Sequence, residues 1–218
     1  MKIDLLDIYN KLYEHFGHQN WWPGETADEI IIGAILTQSV NWKNVEKAIQ
    51  NLKQQNLCNL KSIYKASPKA IAPLIKPTIY FNRKTEKLHT FAEFIQCQFN
   101  GNLKAMFSRN PLNLRKKLLS VKGIGEETAD SILLYAGKLP VFVIDAYTKR
   151  IFSRLGYISN NKSYNEFQKF FMDNLPEDVE LFNDFHAQIV MLAKFFCKKR
   201  EPNCTDCPLV TICSQLFS

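Results

Sequence analysis

The chain has 218 residues, 46% of them hydrophobic, enough to bury a real core in one large domain or two small ones. Twenty-eight Lys and Arg against 21 Asp and Glu leave a net charge of +7, the sign expected of a polyanion binder. No window reaches the roughly 18 apolar residues needed to span a bilayer, and no basic leader precedes an apolar run, so an intracellular (cytoplasmic) protein with no membrane partner is expected.

Apolar residues return every three or four positions along most of the chain and no stretch reads as a hairpin of strands, so the fold class is all-α. Ile3, Leu6, Ile8, Leu12 and Phe16 share one face of a first helix. After Trp21, Trp22 and Pro23, the pair Thr26 and Glu29 has the capping-box spacing and opens a strongly apolar helix through Leu36. A polar break from Gln38 to Trp42 precedes an amphipathic helix from about Asn44 to Gln54. Pro68, Pro73, Pro77 and the Asn100-Gly101 turn separate helices expected over 59–65, 68–74, 82–99 and 102–107. Arg83, Lys84, Lys87 and His89 make one side of the third of these basic, which reads as a solvated face. Further helices are expected over 113–119, 146–155, 164–175 and 180–196, and no internal repeat is present. His15, His18, His89 and His186 make no recognisable constellation and read as surface or core positions.

Between the helices ending at Leu119 and starting at Glu126 stands Val121-Lys122-Gly123-Ile124-Gly125. Two glycines around one apolar residue let the backbone turn tightly and expose its amides, and the next helix adds its positive N-terminus. Such a turn can grip a phosphate backbone without reading sequence, with Lys122 as a further phosphate contact. Taken alone, these five residues fit a plain helix-helix turn equally well. The continuation is Gly137, Leu139, Pro140, the apolar run Val141 to Ile144, and then Asp145 at the mouth of another helix, where an aspartate also serves as an N-cap.

Four of the six cysteines crowd near the C-terminus: Cys197, Cys204, Cys207 and Cys213, spaced C-x6-C-x2-C-x5-C. In a reducing compartment this reads as a metal site before it reads as disulfides, and cysteine alone does not separate zinc from an iron-sulfur cluster. Cys58 and Cys97 stand apart and fit core thiols.

Hairpin, loop and aspartate together resemble the helix-hairpin-helix DNA glycosylase superfamily, from about Ile30 to the C-terminus. The resemblance implies two helical subdomains. A six-helix barrel over 24–132 would hold the helix-hairpin-helix at a cleft, and residues 1–23 with 133–218 would carry the catalytic aspartate and the cysteine loop. It implies double-stranded DNA with a damaged base as the partner of a monomeric enzyme, backbone binding at Lys122, Gly123, Ile124 and Gly125, and a flipped nucleotide facing Asp145. There the carboxylate would stabilise positive charge developing at C1′ and orient water. The cysteine spacing resembles the [4Fe-4S] loop of the endonuclease III and adenine glycosylase branches, with Lys198, Lys199 and Arg200 as a basic finger for phosphates.

The strand-cutting members of the endonuclease III branch place a nucleophilic lysine two residues beyond the second glycine. This chain has Glu127 there, and a carboxylate cannot form the Schiff base that drives lyase chemistry. Trp21, Trp22 and Pro23, the Leu36-Thr37-Gln38 run and Trp42 resemble the 3-methyladenine DNA glycosylase III group, which also has glutamate at that place. By that resemblance Trp21 or Trp22, with Pro23 and Trp42, would wall a pocket for a cationic alkylated purine, and Gln38 would fill the gap left in the duplex. The competing readings are an oxidised-pyrimidine glycosylase with abasic-site lyase activity through another amine, and a non-catalytic DNA-binding module.

Overall fold

The computed structural model describes residues 4–214, 63% of the chain is helical, and no strand occurs among the described residues. Two compact units divide it: Trp22–Leu139 is one, and the residues before Trp22 join those from Pro140 onward in the other. The sequence boundaries, 24 and 132, lie a few residues inside the first. Helix α1 (Leu5–Phe16) opens the second unit with Asp4 accepting a hydrogen bond from the Leu6 amide; Ile3, assigned to this helix from the sequence, lies outside the described residues.

In the Trp22–Leu139 unit, α2 (Ala27–Leu36) is buried from Glu29 to Leu36, as expected of a helix apolar on every side. Thr26 accepts from the Glu29 amide, but the Glu29 carboxylate bonds the amide of Glu25 rather than that of Thr26, so only half of the expected capping box forms. Asn41 caps α3 (Trp42–Gln54), and α4 (Leu60–Lys65) is capped by Asn59. The next helix, α5 (Pro68–Ile71), is shorter than the expected 68–74, because Pro73 and Pro77 hand the chain to a 3-10 turn at Lys76–Thr78. The long α6 (Phe81–Phe99) then packs on α2 and α4, followed by α7 (Leu103–Phe107). With Asn110 as cap and Pro111 in the first turn, α8 (Pro111–Leu119) starts two residues before the expected 113. After the hairpin, α9 (Glu126–Ser131) runs into a π turn at Ile132–Ala136, closed by the Gly137 amide on the Ile132 carbonyl at 3.0 Å. A Cβ on Gly137 would stand 2.5 Å from Phe107 Cδ1 and 2.7 Å from the Leu133 carbonyl, so only glycine lets this turn close on α7.

The basic side expected on α6 is solvated at Arg83 but not throughout. Lys84 is 3% exposed and donates to the carbonyls of Leu36 (2.8 Å) and Thr78 (2.6 Å), closing the end of α2. Burial lowers its pKa to about 8. Between α8 and α9, Arg115 grips Asp130 with both ends of its guanidinium, at 2.6 and 2.9 Å, and Asp130 is fully buried.

In the other unit, α10 (Ala146–Arg154), α11 (Tyr164–Asn174) and α12 (Val179–Phe195) join α1. α12 packs on both α1 and α10, over a phenylalanine core in which Phe142 stacks on Phe171 at 4.2 Å and Phe152, Phe182 and Phe185 close around them. The apolar run before Asp145 is buried and tied by its backbone: the Ile144 amide donates to the Tyr164 hydroxyl, and the Phe142 carbonyl accepts from Gln168.

Removing one partner of the Arg115–Asp130 pair leaves a buried charge uncompensated. Asp130→Ala is expected to cost about 3–5 kcal/mol in urea unfolding, whereas replacing both residues by Met recovers most of that loss.

Candidate active site

In the Trp22–Leu139 unit, α8 stops at Ser120 and the turn that follows is anchored from within by Val121 and Ile124, 6% and 5% exposed. Lys122, Gly123 and Gly125 face outward. Ile124 can therefore serve a backbone contact only through its main chain, its side chain being part of the core. Gly123 has φ +92°, and a Cβ there would meet Lys87 Cγ at 2.6 Å. Gly125 is the N-cap of α9, no side chain closes that cap, and a Cβ on it would meet nothing within 4 Å. First-turn amides at an uncapped, sterically open helix start suit a phosphate oxygen. Glu127 is exposed in the same first turn, with its carbonyl accepting from Ser131 Oγ.

Gln38 sits against this turn. Its Nε2 donates to the Gly123 carbonyl (3.2 Å) and to Thr128 Oγ1 (3.0 Å), and its Oε1 accepts from Lys87 Nζ. The following residue, Ser39, takes φ +58°, outside the helical range, in the turn between α2 and Asn41.

Of the residues assigned to a base pocket, Trp22 and Trp42 meet edge to face at 5.1 Å, and Trp22 also lies 4.9 Å from Tyr135. Gly33 leaves room for both indoles against α2, its notional Cβ lying 3.4 Å from one and 3.5 Å from the other. Tyr135 was not singled out from the sequence; it is carried in by the π turn, which no apolar periodicity announces. Trp21 belongs to the other unit, where Lys194 Nζ stands 5.9 Å over its ring. Pro23 is exposed.

A second feature absent from the sequence reading is the tip before α6. Ile79 and Tyr80 take φ +55° and +48° in succession while 52% and 63% exposed. A β-branched residue in the left-handed region costs on the order of 1–3 kcal/mol and marks a place where the surroundings impose the conformation.

In the other unit, Asp145 caps α10: its Oδ1 accepts from the Thr148 amide (2.7 Å) and hydroxyl (2.8 Å). Its Oδ2 stands 3.6 Å from His186 Nε2 on α12. His186 is therefore part of a constellation after all, and sequence reading missed it because 41 residues separate the pair along the chain. Burial pushes the Asp145 carboxyl upward, but the neighbouring His186 and the two bonds from Thr148 outweigh it and hold the carboxyl below its ordinary value. Asp145 is thus a carboxylate at neutral pH, in a setting only 13% exposed.

The same helix reaches the cysteine loop from its far end. Arg150 donates twice to the Cys197 carbonyl at 2.9 and 3.0 Å. Arg154, 8% exposed, donates to the carbonyls of Lys198 and Lys199 and approaches Cys197 Sγ at 3.4 Å. Cys197, Cys204, Cys207 and Cys213 line one pocket of about 30 Å³, and none is in a disulfide. Lys198, Lys199 and Arg200 are exposed beside it.

Residues 32–177 match the HhH-GPD superfamily of base excision DNA repair proteins. A Methanocaldococcus jannaschii protein provisionally described as a DNA repair glycosylase is 45% identical over 208 residues, 94% of either chain. The chain belongs to the HhH-GPD superfamily. It is endonuclease III-like, and as a superfamily member it is a DNA repair glycosylase. The structure of H. pylori 3-methyladenine DNA glycosylase bound to 1,N6-ethenoadenine superimposes with TM-score 0.78 and 28% identity, covering 88% of this chain and 98% of that one. A non-covalent endonuclease III–DNA complex matches with TM-score 0.82 over 97% and 94%, at 18% identity, and shares the fold.

For this HhH-GPD glycosylase the sign of the pH dependence follows from Asp145. A carboxyl held low stays ionised through the neutral range and is lost only as pH falls through its depressed value. His186→Ala removes the largest group holding it down, so the acid limb of single-turnover base release is expected to move to higher pH. A pH–rate profile superimposable on that of the unmodified protein would take His186 out of the site.

Proposed function

We propose that the chain is a monofunctional glycosylase, working as an intracellular monomer, that flips an alkylated purine of the 3-methyladenine type out of duplex DNA and hydrolyses its N-glycosidic bond. The observation that carries this reading is the carboxylate of Glu127 at the position two beyond Gly125, considered with the separate finding that Asp145 is ionised. An N3- or N7-alkylated purine is cationic, so it leaves with the bonding electron pair of the C1′–N bond and becomes neutral. That departure needs no strong general acid. Positive charge grows at C1′ as the base leaves, and a buried carboxylate stabilises it; water then supplies the oxygen at C1′, and its proton goes to Asp145 or to solvent. The product is an abasic site on an uncut strand.

Aromatic walls support the substrate class. Trp22 and Trp42, both partly exposed, offer π faces of the kind that attract a cationic base, with the buried Tyr135 packed against Trp22, and the 28% identical structural relative has a 3-methyladenine glycosylase's name and a modified adenine bound. Backbone binding falls to the open turn at Lys122, Gly123 and Gly125, with the main chain of Ile124, and to Lys198, Lys199 and Arg200. Gln38 is the residue that would enter the gap in the duplex.

The four cysteines fit a [4Fe-4S] cluster. They line one pocket together, and their C-x6-C-x2-C-x5-C spacing resembles the [4Fe-4S] loop of the endonuclease III branch. Arg154 supplies positive charge beside Cys197, as thiolate ligands require. Bound there, the cluster would brace the segment carrying Lys198 to Arg200; it would do no bond-breaking chemistry. Purified protein containing zinc and lacking the broad visible absorption of such clusters would remove this assignment.

Base release measured across alkylated, oxidised and deaminated duplexes, with strand cleavage scored separately, tests the substrate class. Release confined to alkylated purines is expected, with no borohydride-trapped adduct on abasic DNA. A trapped adduct would favour a lyase using another amine, and release of oxidised pyrimidines alone would overturn the alkylpurine reading. Asp145→Asn is expected to keep DNA binding and lose on the order of 10³ in single-turnover rate.

A further inference from the structure

Lys87 was grouped with a solvated helix face, but it touches both parts of the DNA-facing apparatus in its unit. Its aliphatic stem lies across Gly123, where Cγ, Cδ and Cε would stand 2.6, 3.0 and 3.1 Å from a Cβ at that position. Its ammonium donates to Gln38 Oε1. These two contacts decide the orientation of the Gln38 carboxamide. Lysine can only donate and the Gly123 carbonyl can only accept, so the amide oxygen must face Lys87 and the amide nitrogen must face the hairpin. One turn earlier on the same helix, Lys84 closes the last turn of α2, the helix that ends just before Gln38. α6 thus holds the residue and the approach to it from one rigid face.

We propose that Lys87 is a positioning residue for Gln38. It orients the carboxamide and sets its distance from the phosphate-binding turn, so that filling the gap left by the flipped nucleotide and gripping the backbone occur in one register. This deepens the proposed function and rests on Gln38 being the gap-filling residue. It also makes the glycine at 123 necessary for a second reason beside its positive φ: any side chain there would displace the lysine stem.

The test uses the full-length protein on a methylated duplex. Lys87→Met keeps the stem over Gly123 and removes the ammonium. It is expected to slow single-turnover base release about tenfold, the loss of one charged hydrogen bond, with Kd for undamaged duplex and melting temperature unchanged. Lys87→Arg restores the rate to within about threefold, since a guanidinium can still donate to the amide oxygen. In a Gln38→Ala background, Lys87→Met is expected to add nothing, because the two residues act as one. Equal slowing in both backgrounds, or a wild-type rate for Lys87→Met beside a slow Gln38→Ala, overturns the proposal alone. A salt slope lowered by about 0.9 would also overturn it and make Lys87 a direct phosphate contact. A wild-type rate for Gln38→Ala removes the gap-filling role of Gln38, and the proposal falls with it.

Discussion

The carboxylate of Asp145 is at once a helix cap and an ionised group in a nearly closed setting, and much of its unit is arranged around that combination. Two bonds from Thr148 take up one oxygen and leave the other toward His186. Burial alone would favour the protonated acid; these partners reverse the balance, so the group carries its negative charge at neutral pH. The helix that Asp145 starts is short and stiff. At its other end Arg150 and Arg154 carry the cysteine loop through five hydrogen bonds to carbonyls and a thiol. α10 is therefore a strut, nine residues long, with the capping carboxylate at one end and the basic loop at the other. Disturbing the loop would be felt at the cap because no flexible segment separates them.

Cations buried against carbonyls recur in the Trp22–Leu139 unit. Lys84 and Lys87 face inward from α6, one closing the end of α2 and the other holding Gln38. Lys84 replaces water at the end of α2 and keeps backbone oxygens satisfied, while Lys87 meets a side-chain oxygen beside the glycine turn. The Arg115–Asp130 pair does comparable work beneath the hairpin, tying the helices on either side of it. These internal charges hold the glycine turn and the helices on either side of it in a fixed shape.

Local chemistry made most of the helical framework readable. Thr26 caps its helix as its spacing to Glu29 announced, and Asn41, Asn59, Ser163 and Asp178 do the same at theirs, while Pro73 ends α5 earlier than the periodicity suggested. The departures have physical causes. Glu29 reached Glu25 and Lys53 instead of its own cap, since a carboxylate goes to the nearest donors in three dimensions. Lys84 and Lys87 read as solvated because charge on a helix face usually is, and only the packing of α6 on α2 turned that face inward.

The site divides along the same line. Asp145, Glu127, the glycine turn and the four cysteines are each short-range patterns legible from residue type and spacing, so the sequence by itself determined the family and, with it, the class of DNA repair glycosylase. Tyr135 beside Trp22, His186 beside Asp145, Lys87 on Gln38 and the strained Ile79-Tyr80 tip depend on residues far apart in the chain or on a backbone state that no composition encodes. Those were decided by tertiary packing alone, because the protonation of a buried carboxylate and the orientation of an amide are set by whatever the fold places within a few ångströms of them.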